Sequence, residues 1–329
     1  MHQPSPAKAR RRLRSAEFAA LALVLLCCGA AAAAPAKLAE IDRTPFVAEG
    51  VAVTPSGAVL VSGVEGRTVV RLGPHGAVPW LKRRAAGGLF GMAIDARRGR
   101  VWIAETGGAD VPGGSGPHAT GVLEVRLSDG GAIAFHPAPN DGKPHWIGDL
   151  TVDNGTVYAS DSLVNGQLYR LAPGAKVLTV LAETSLRSPQ GLVVTSDHKR
   201  LILGDYSTGL HLVRLADGAV GPTLAFAGAE LRGLDGLKRH GRDLIATQNG
   251  TKTHRVLRLR LTADETGIAA VETLASGPEL LEDVSLGAVD GDRYLFVARS
   301  GWAAYDDKGQ PNGAPHQRPA IASLSLPPG

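Results

Sequence analysis

Pro189-Gln190-Gly191-Leu192-Val193-Val194 reads as a short apolar strand opened at a turn-like polar position. The turn Ser196-Asp197-His198-Lys199 comes next, then a second run from Arg200 to Gly204, a third from Gly209 to Leu215 and a fourth from Thr223 to Ala227. The same opening recurs as Glu49-Gly50-Val51-Ala52-Val53, Phe90-Gly91-Met92-Ala93-Ile94, Gly148-Asp149-Leu150-Thr151-Val152, Asp235-Gly236-Leu237 and Glu282-Asp283-Val284-Ser285-Leu286. Successive starts lie about 40 to 60 residues apart, the period of propeller blades. The third repeat divides in the same way, into Asp149–Val152, Thr156–Ser160, Gly166–Leu171 and Val177–Ala182. No 3.6-residue period is sustained, and the Gly-rich turns sit between regular apolar runs. The pattern predicts an all-β chain folded as a six-bladed β-propeller of four-stranded blades.

A ring of sheets has to close. The C-terminal run Ile321–Leu326 and the N-terminal run Leu38–Ile41 are expected in one blade, which removes the open edges that would otherwise aggregate. Two insertions, Gly107–Thr120 and Ser300–Pro319, come after second strands. They should therefore emerge on the face where the inner strands begin.

Residues 1–36 read as a signal peptide and 37–329 as one propeller domain. Lys8, Arg10, Arg11, Arg12 and Arg14 precede an apolar run from Phe18 to Ala34, with small residues after it. The expected location is periplasmic or secreted, with no membrane contact once the leader is cleaved. Both cysteines, Cys27 and Cys28, fall in the leader, so the mature chain has neither a thiol nucleophile nor a thiolate metal site. The chain carries 35 basic and 31 acidic residues, and the leader accounts for the excess. A near-neutral mature domain gives nucleic acid nothing to bind. A small-molecule substrate and a monomer are the expectations.

In such a ring the inner-strand starts converge on one end of the central channel. Glu49, Asp149, Gln190 and Asp235 would meet there, and carboxylate and amide oxygens suit a hard divalent cation. Glu105, Asp161 and Asp205 form a second column at the ends of second strands. Carboxylates recurring in one structural position read as acceptors for loop N–H groups. His145 and Trp146 precede the third inner strand and should stand at the rim as substrate contacts, with His118 on the same face. Arg299, beside Trp302 in the sixth-blade loop, could meet an anionic substrate. Asn249 reads as a turn residue. There is no Gly-x-Ser-x-Gly elbow and no phosphate-cradling loop.

Glu49-Gly50, Pro189-Gln190-Gly191-Leu192 and Leu234-Asp235-Gly236-Leu237 resemble the openings of the first, fourth and fifth blades in the senescence-marker-protein/gluconolactonase family of six-bladed propellers. The resemblance runs from about Glu49 to Leu295 and implies a metal-dependent lactone hydrolase. In that family a Glu, an Asn and an Asp from these blades hold the metal, and the third blade adds an Asn-Asp pair. Glu49 and Asp235 match. Gln190 stands where the family has Asn, and Gly148 stands where the third-blade Asn is expected, leaving Asp149. The resemblance thus implies a divalent cation, Ca²⁺ ahead of Mg²⁺, Mn²⁺ or Zn²⁺, on Glu49, Gln190 and Asp235, with Asp235 or Asp149 taking a proton. The alternative is a propeller that binds a peptide, sugar or protein without catalysis.

Overall fold

Six four-stranded antiparallel sheets stand around one axis in the computed structural model, which describes residues 35–329 other than 117, 164 and 280. The expected leader lies outside the described residues except for its last two positions. Blade 1 spans 48–79, blade 2 spans 88–137, blade 3 spans 147–182, blade 4 spans 189–224 and blade 5 spans 234–276. In each, chain order runs from the innermost strand outward. The fourth blade is built from Pro189–Val194, Arg200–Asp205, Gly209–Arg214 and Val220–Leu224, close to the runs visible in the sequence.

Blade 6 closes the ring. Its strands, from the axis outward, are Gly287–Asp290, Arg293–Arg299, Ala320–Ser325 and the N-terminal Ala36–Glu40. Ala36 faces Ser323 and Glu40 faces Ala320 across the antiparallel seam. The first and last strands of the described residues thus lie in one sheet, as expected. Arg299 reinforces the seam by pairing with Glu40 at 2.9 Å.

Neighbouring blades pack face to face through the apolar residues of their alternating strands. Between blades 4 and 5, for example, Ile202 and Leu210 meet Leu237, Leu244 and Leu259, all essentially inaccessible to solvent. Each such buried aliphatic side chain stabilises the fold by about 1.5–3 kcal/mol. Truncating one, as in Leu244→Ala, should cost about 2–5 kcal/mol through lost burial and the cavity left behind.

The motif of an axial residue followed by glycine has a steric cause. A Cβ on Gly50 would lie 2.6 Å from the carbonyl oxygen of Phe90 in the next blade. At Gly50 the inner strands of blades 1 and 2 approach too closely for a side chain. Hydroxyls from second strands then stitch the blades together. Ser62 donates to the Phe90 carbonyl at 2.5 Å, Thr106 to Ile147 at 3.1 Å and Ser160 to Gln190 at 2.7 Å.

The two insertions occupy the face where inner strands begin, and they meet one another. Gln310 Nε2 donates to the Ala109 carbonyl at 3.2 Å, and Gly309 lies against Asp110. Val111, Ala304 and Tyr305 are buried in one apolar cluster with Phe90 and Ile147, so both loops are anchored to the mouth of the channel. Among the described residues no helix is long and apolar enough to cross a membrane.

Candidate active site at the channel mouth

Strand register identifies which residues are equivalent around the axis. Val51 faces Val61, Met92 faces Ile103, Leu192 faces Leu203, Leu237 faces Ala246 and Gly287 faces Phe296. Two residues before these inner-strand positions stand Glu49, Phe90, Gln190, Asp235 and Ser285. Each lies where the register shifts or the inner strand starts. In blade 3, Asp149 faces Ser160, whose hydroxyl plays the part that Ser62 plays in blade 1. Gly148 is therefore the ring residue of blade 3, and Asp149 stands one step further along the strand. The sixth ring member is Ser285 and not Glu282, the start expected from sequence. Glu282 is exposed, and its carboxylate lies 3.6 Å from Arg299.

The ring is lopsided. Asp235, Ser285 and Glu49 come from the consecutive blades 5, 6 and 1, and all three are buried. Burial pushes the Glu49 carboxyl up to about 8, and the charge of Asp235 adds to the effect. Hydrogen bonding from Trp302 and the nearby Ser285 hydroxyl oppose it. Asp235 is pushed up to about 7 by burial and by the charge of Asp149, against the influence of Asn249, Ser285 and Lys238. Trp302 Nε1 donates to Glu49 Oε2 at 2.6 Å. Asn249 Nδ2 donates to Asp235 Oδ2 at 2.8 Å and to the Val284 carbonyl at 2.9 Å. Two acceptors on one side of this amide require its nitrogen there. Asn249 Oδ1 is left buried without a partner, and so is Ser285 Oγ.

Below the ring lies an ion pair that sequence reading did not anticipate. Lys238 Nζ is 3.2 Å from Asp149 Oδ2, and the carboxylate is only 1% exposed. Burial raises the Asp149 carboxyl and the Lys238 ammonium opposes that rise. Asp149 folds over Gly91, where a Cβ would lie 2.1 Å from its Oδ1. Lys238 also lines a cavity of about 220 Å³ further along the channel, with Val51, Met92, Thr151 and Val289.

Gln190 faces another way. Its Nε2 donates to Ser188 Oγ at 2.8 Å, and its Oε1 accepts from Ser162 Oγ at 3.2 Å. This pair passes beside Gly148, where an added Cβ would sit 2.4 Å from Ser162 Oγ. Both polar ends of the Gln190 amide are committed within blades 3 and 4. Among the described residues no group of three or more His, Cys, Asp or Glu is placed to hold a metal, so carboxylates alone do not complete a site here. Glu49 and Asp235, together with the unpartnered oxygens of Ser285 and Asn249, form an all-oxygen set that fits a hard dication.

The remaining expected contacts spread over the face. His145 is held between two carboxylates. Its Nδ1 is 2.9 Å from Asp161 Oδ2 and its Nε2 is 3.0 Å from Asp141 Oδ1, while Tyr169 OH approaches Nδ1 at 2.8 Å. Trp146 packs edge-on against Phe90 with centroids 5.4 Å apart, and Phe90 also meets Trp302 at 6.4 Å. His145, Trp146 and His118 border a cavity of about 730 Å³ between the rim of blades 2 and 3 and the first insertion. Arg299 lies elsewhere, in the closing blade, engaged by Glu40 and Glu282. The second acidic column has structural work. Glu105 accepts from the Gly87 N–H at 2.8 Å, Asp161 from Trp146 at 3.0 Å and Asp205 from Arg187 at 2.9 Å.

No protein-family model matches the chain, and no curated protein matches it in sequence. Solved structures do match. A gluconolactonase from Xanthomonas campestris, described as important in glucose secondary metabolic pathways, is 19% identical over 86% of each chain, with a TM-score of 0.59. This chain has the six-bladed propeller fold that these gluconolactonase-like structures share. A luciferin-regenerating enzyme is 14% identical, covering 88% of this chain and 95% of its own, with a TM-score of 0.60. The PQQ-bound aldose sugar dehydrogenase from Streptomyces coelicolor is 15% identical, covering 88% of this chain and 97% of its own, with a TM-score of 0.56. Proteins of different chemistry thus lie at similar distances, and the fold by itself does not select a reaction.

Proposed function

We propose that this protein hydrolyses a small lactone or similar cyclic ester at the channel mouth, with a divalent cation held by Glu49 and Asp235. Charge balance carries the reading. Glu49, Asp149 and Asp235 bury three carboxylates along the axis and Lys238 returns one ammonium, leaving a formal charge that a single dication cancels. The oxygen donors suit Ca²⁺ first, then Mg²⁺, with Mn²⁺ and Zn²⁺ behind them. Such an ion supplies Lewis acidity toward the ester carbonyl.

The chain's own groups do the rest. Asp235, ionised beside a bound cation, is suited to take the proton of the attacking water as its oxygen bonds to the carbonyl carbon. The ring C–O bond then breaks, and the proton passes to the departing ring oxygen. Asp149 is neutralised by Lys238 and keeps the region below the ring polar without competing for the proton. Trp302 fixes the rotamer of Glu49. Trp146 and His145 border a cavity of about 730 Å³ roomy enough for a small cyclic ester. With the leader read over residues 1–36, the reaction would take place in the periplasm or outside the cell.

One observation favours the binding module instead: Phe90 packs against both Trp146 and Trp302, an aromatic cluster suited to stack on a sugar or an apolar side chain. The two readings separate in one experiment. Purified protein is assayed for cation content and against a panel of sugar, aliphatic and aromatic lactones, with and without chelator. Bound cation and chelator-sensitive hydrolysis support the enzyme. A metal-free protein with no hydrolysis across the panel sinks it.

A further inference from the structure

We propose that the cation's neutral ligands in this chain are Ser285 Oγ and Asn249 Oδ1, with the Gln190 amide taking no part. The inference rests on the proposed cation site but concerns which oxygens close it. Ser285 is the ring residue of blade 6, as Glu49 is of blade 1 and Asp235 of blade 5, so it stands between the two carboxylates in the ring. It is 2% exposed, and its buried hydroxyl makes no hydrogen bond that meets geometric criteria. Asn249 stands behind Asp235. Its nitrogen is fixed by Asp235 and Val284, so its oxygen is the free end of a held amide.

A buried oxygen without a donor is costly, and two of them beside two carboxylates are hard to explain as packing. A cation would take a lone pair from each of these two oxygens as well as from the carboxylates, and the Ser285 hydroxyl would keep its proton to donate to a carboxylate beside it. Gln190 has no such vacancy. Its Nε2 is taken by Ser188 and its Oε1 by Ser162. Freeing the oxygen would break the contact that fills the space above Gly148. The amide that blade 4 would otherwise supply is thus replaced by one hydroxyl from blade 6 and one amide from blade 5.

The test is Ca²⁺ binding by the full mature chain, read by titration calorimetry and by the Ca²⁺-induced rise in melting temperature, without any substrate. Ser285→Ala and Asn249→Ala should each weaken Ca²⁺ by about tenfold or more, whereas Gln190→Ala stays within about twofold of wild type. Ser285→Ala changes volume least, so it stays interpretable if Asn249→Ala loosens the loop; the metal-free melting temperature of each variant checks this. Wild-type Ca²⁺ affinity in Ser285→Ala, or loss of binding in Gln190→Ala, overturns the ligand assignment while leaving the cation reading intact. Failure of the wild-type chain to bind Ca²⁺, Mg²⁺ or Mn²⁺ overturns both.

Discussion

The two halves of the channel mouth are built from register-equivalent residues and have opposite chemistry. Blades 5, 6 and 1 place Asp235, Ser285 and Glu49 at the ring, with two displaced protonation equilibria and two unpartnered oxygens around them. Blades 2, 3 and 4 place Phe90, Gly148 and Gln190 at the same positions: an aromatic ring, no side chain, and an amide turned away. One backbone device serves both, an axial residue at a register shift or, for Ser285, just before the inner strand starts. What differs is whether the side chain finds its partners within its own blade and the adjoining one. Gln190 does, and it leaves nothing for a ligand. Asp235 and Glu49 do so only in part, and the remainder faces the axis.

The largest effect is expected where the acidic half is broken outright. Asp235→Ala should remove cation binding and reduce lactone hydrolysis by about 10²-fold or more, with the far-UV spectrum unchanged. Binding and turnover measured on one preparation check this, and full turnover in that variant ends the proposed mechanism. Next is Lys238→Met, which leaves Asp149 buried without its counter-charge. Stripping one partner from a buried pair costs about 3–5 kcal/mol, so denaturant unfolding should show a loss of that order. The matching change in the other half, Gln190→Ala, should cost far less, because its partners Ser188 and Ser162 are neutral.

The halves should also separate by pH. The Glu49 and Asp235 carboxyls are raised in the fold, from ordinary values of 4.5 and 3.8 to about 8 and about 7. Between these limits the native chain holds protons that the unfolded chain has released. Without a cation, stability should therefore be highest below about pH 4 with respect to these two groups and fall as pH rises toward 8. Asp149, shifted the same way, adds to the fall. Excess Ca²⁺ should flatten it by favouring the ionised forms. Melting curves from about pH 5 to 8.5, with chelator and with Ca²⁺, test this. A melting temperature that climbs with pH in chelator would show that these carboxylates are not destabilised by ionisation.

Much of this was legible in the sequence, for identifiable reasons. The fold comes from a strand-and-turn unit repeated six times, and the closing blade from the two leftover terminal strands. Four ring positions come from residues set directly before Gly, and Gly148 from the same opening with Asp149 in place of that Gly. The sixth did not, because Glu282-Asp283 imitates the acidic opening. The structure instead sets Ser285 and Leu286 opposite Val297. Lys238 was invisible because a lysine within a strand reads as solvent-facing, and its partner lies 89 residues away. Arg299 looked free because Glu40, its partner, lies 259 residues earlier and arrives only when the ring closes. Asn249 reads as a turn residue until the Val284 carbonyl from the next blade is placed beside it.

The smallest expected effect concerns the one residue that spans the two halves. Trp302 packs against Phe90 with its ring and donates to Glu49 with its N–H. Trp302→Phe keeps most of the packing and deletes only the donor. A hydrogen bond to an ionised carboxylate contributes about 1.5–3 kcal/mol, and at this partly exposed indole the lower end applies. Because the bond favours the charged form of Glu49, its loss should move that carboxyl further up. The alkaline rise of Ca²⁺ affinity, which tracks Glu49 ionisation, should shift to higher pH by about one unit, the equivalent of about 1.4 kcal/mol. Turnover at saturating Ca²⁺ and high pH should stay near wild type. If affinity drops equally at every pH, Trp302 acts by covering the site rather than by tuning Glu49, and the aromatic half contributes shape where the acidic half contributes charge.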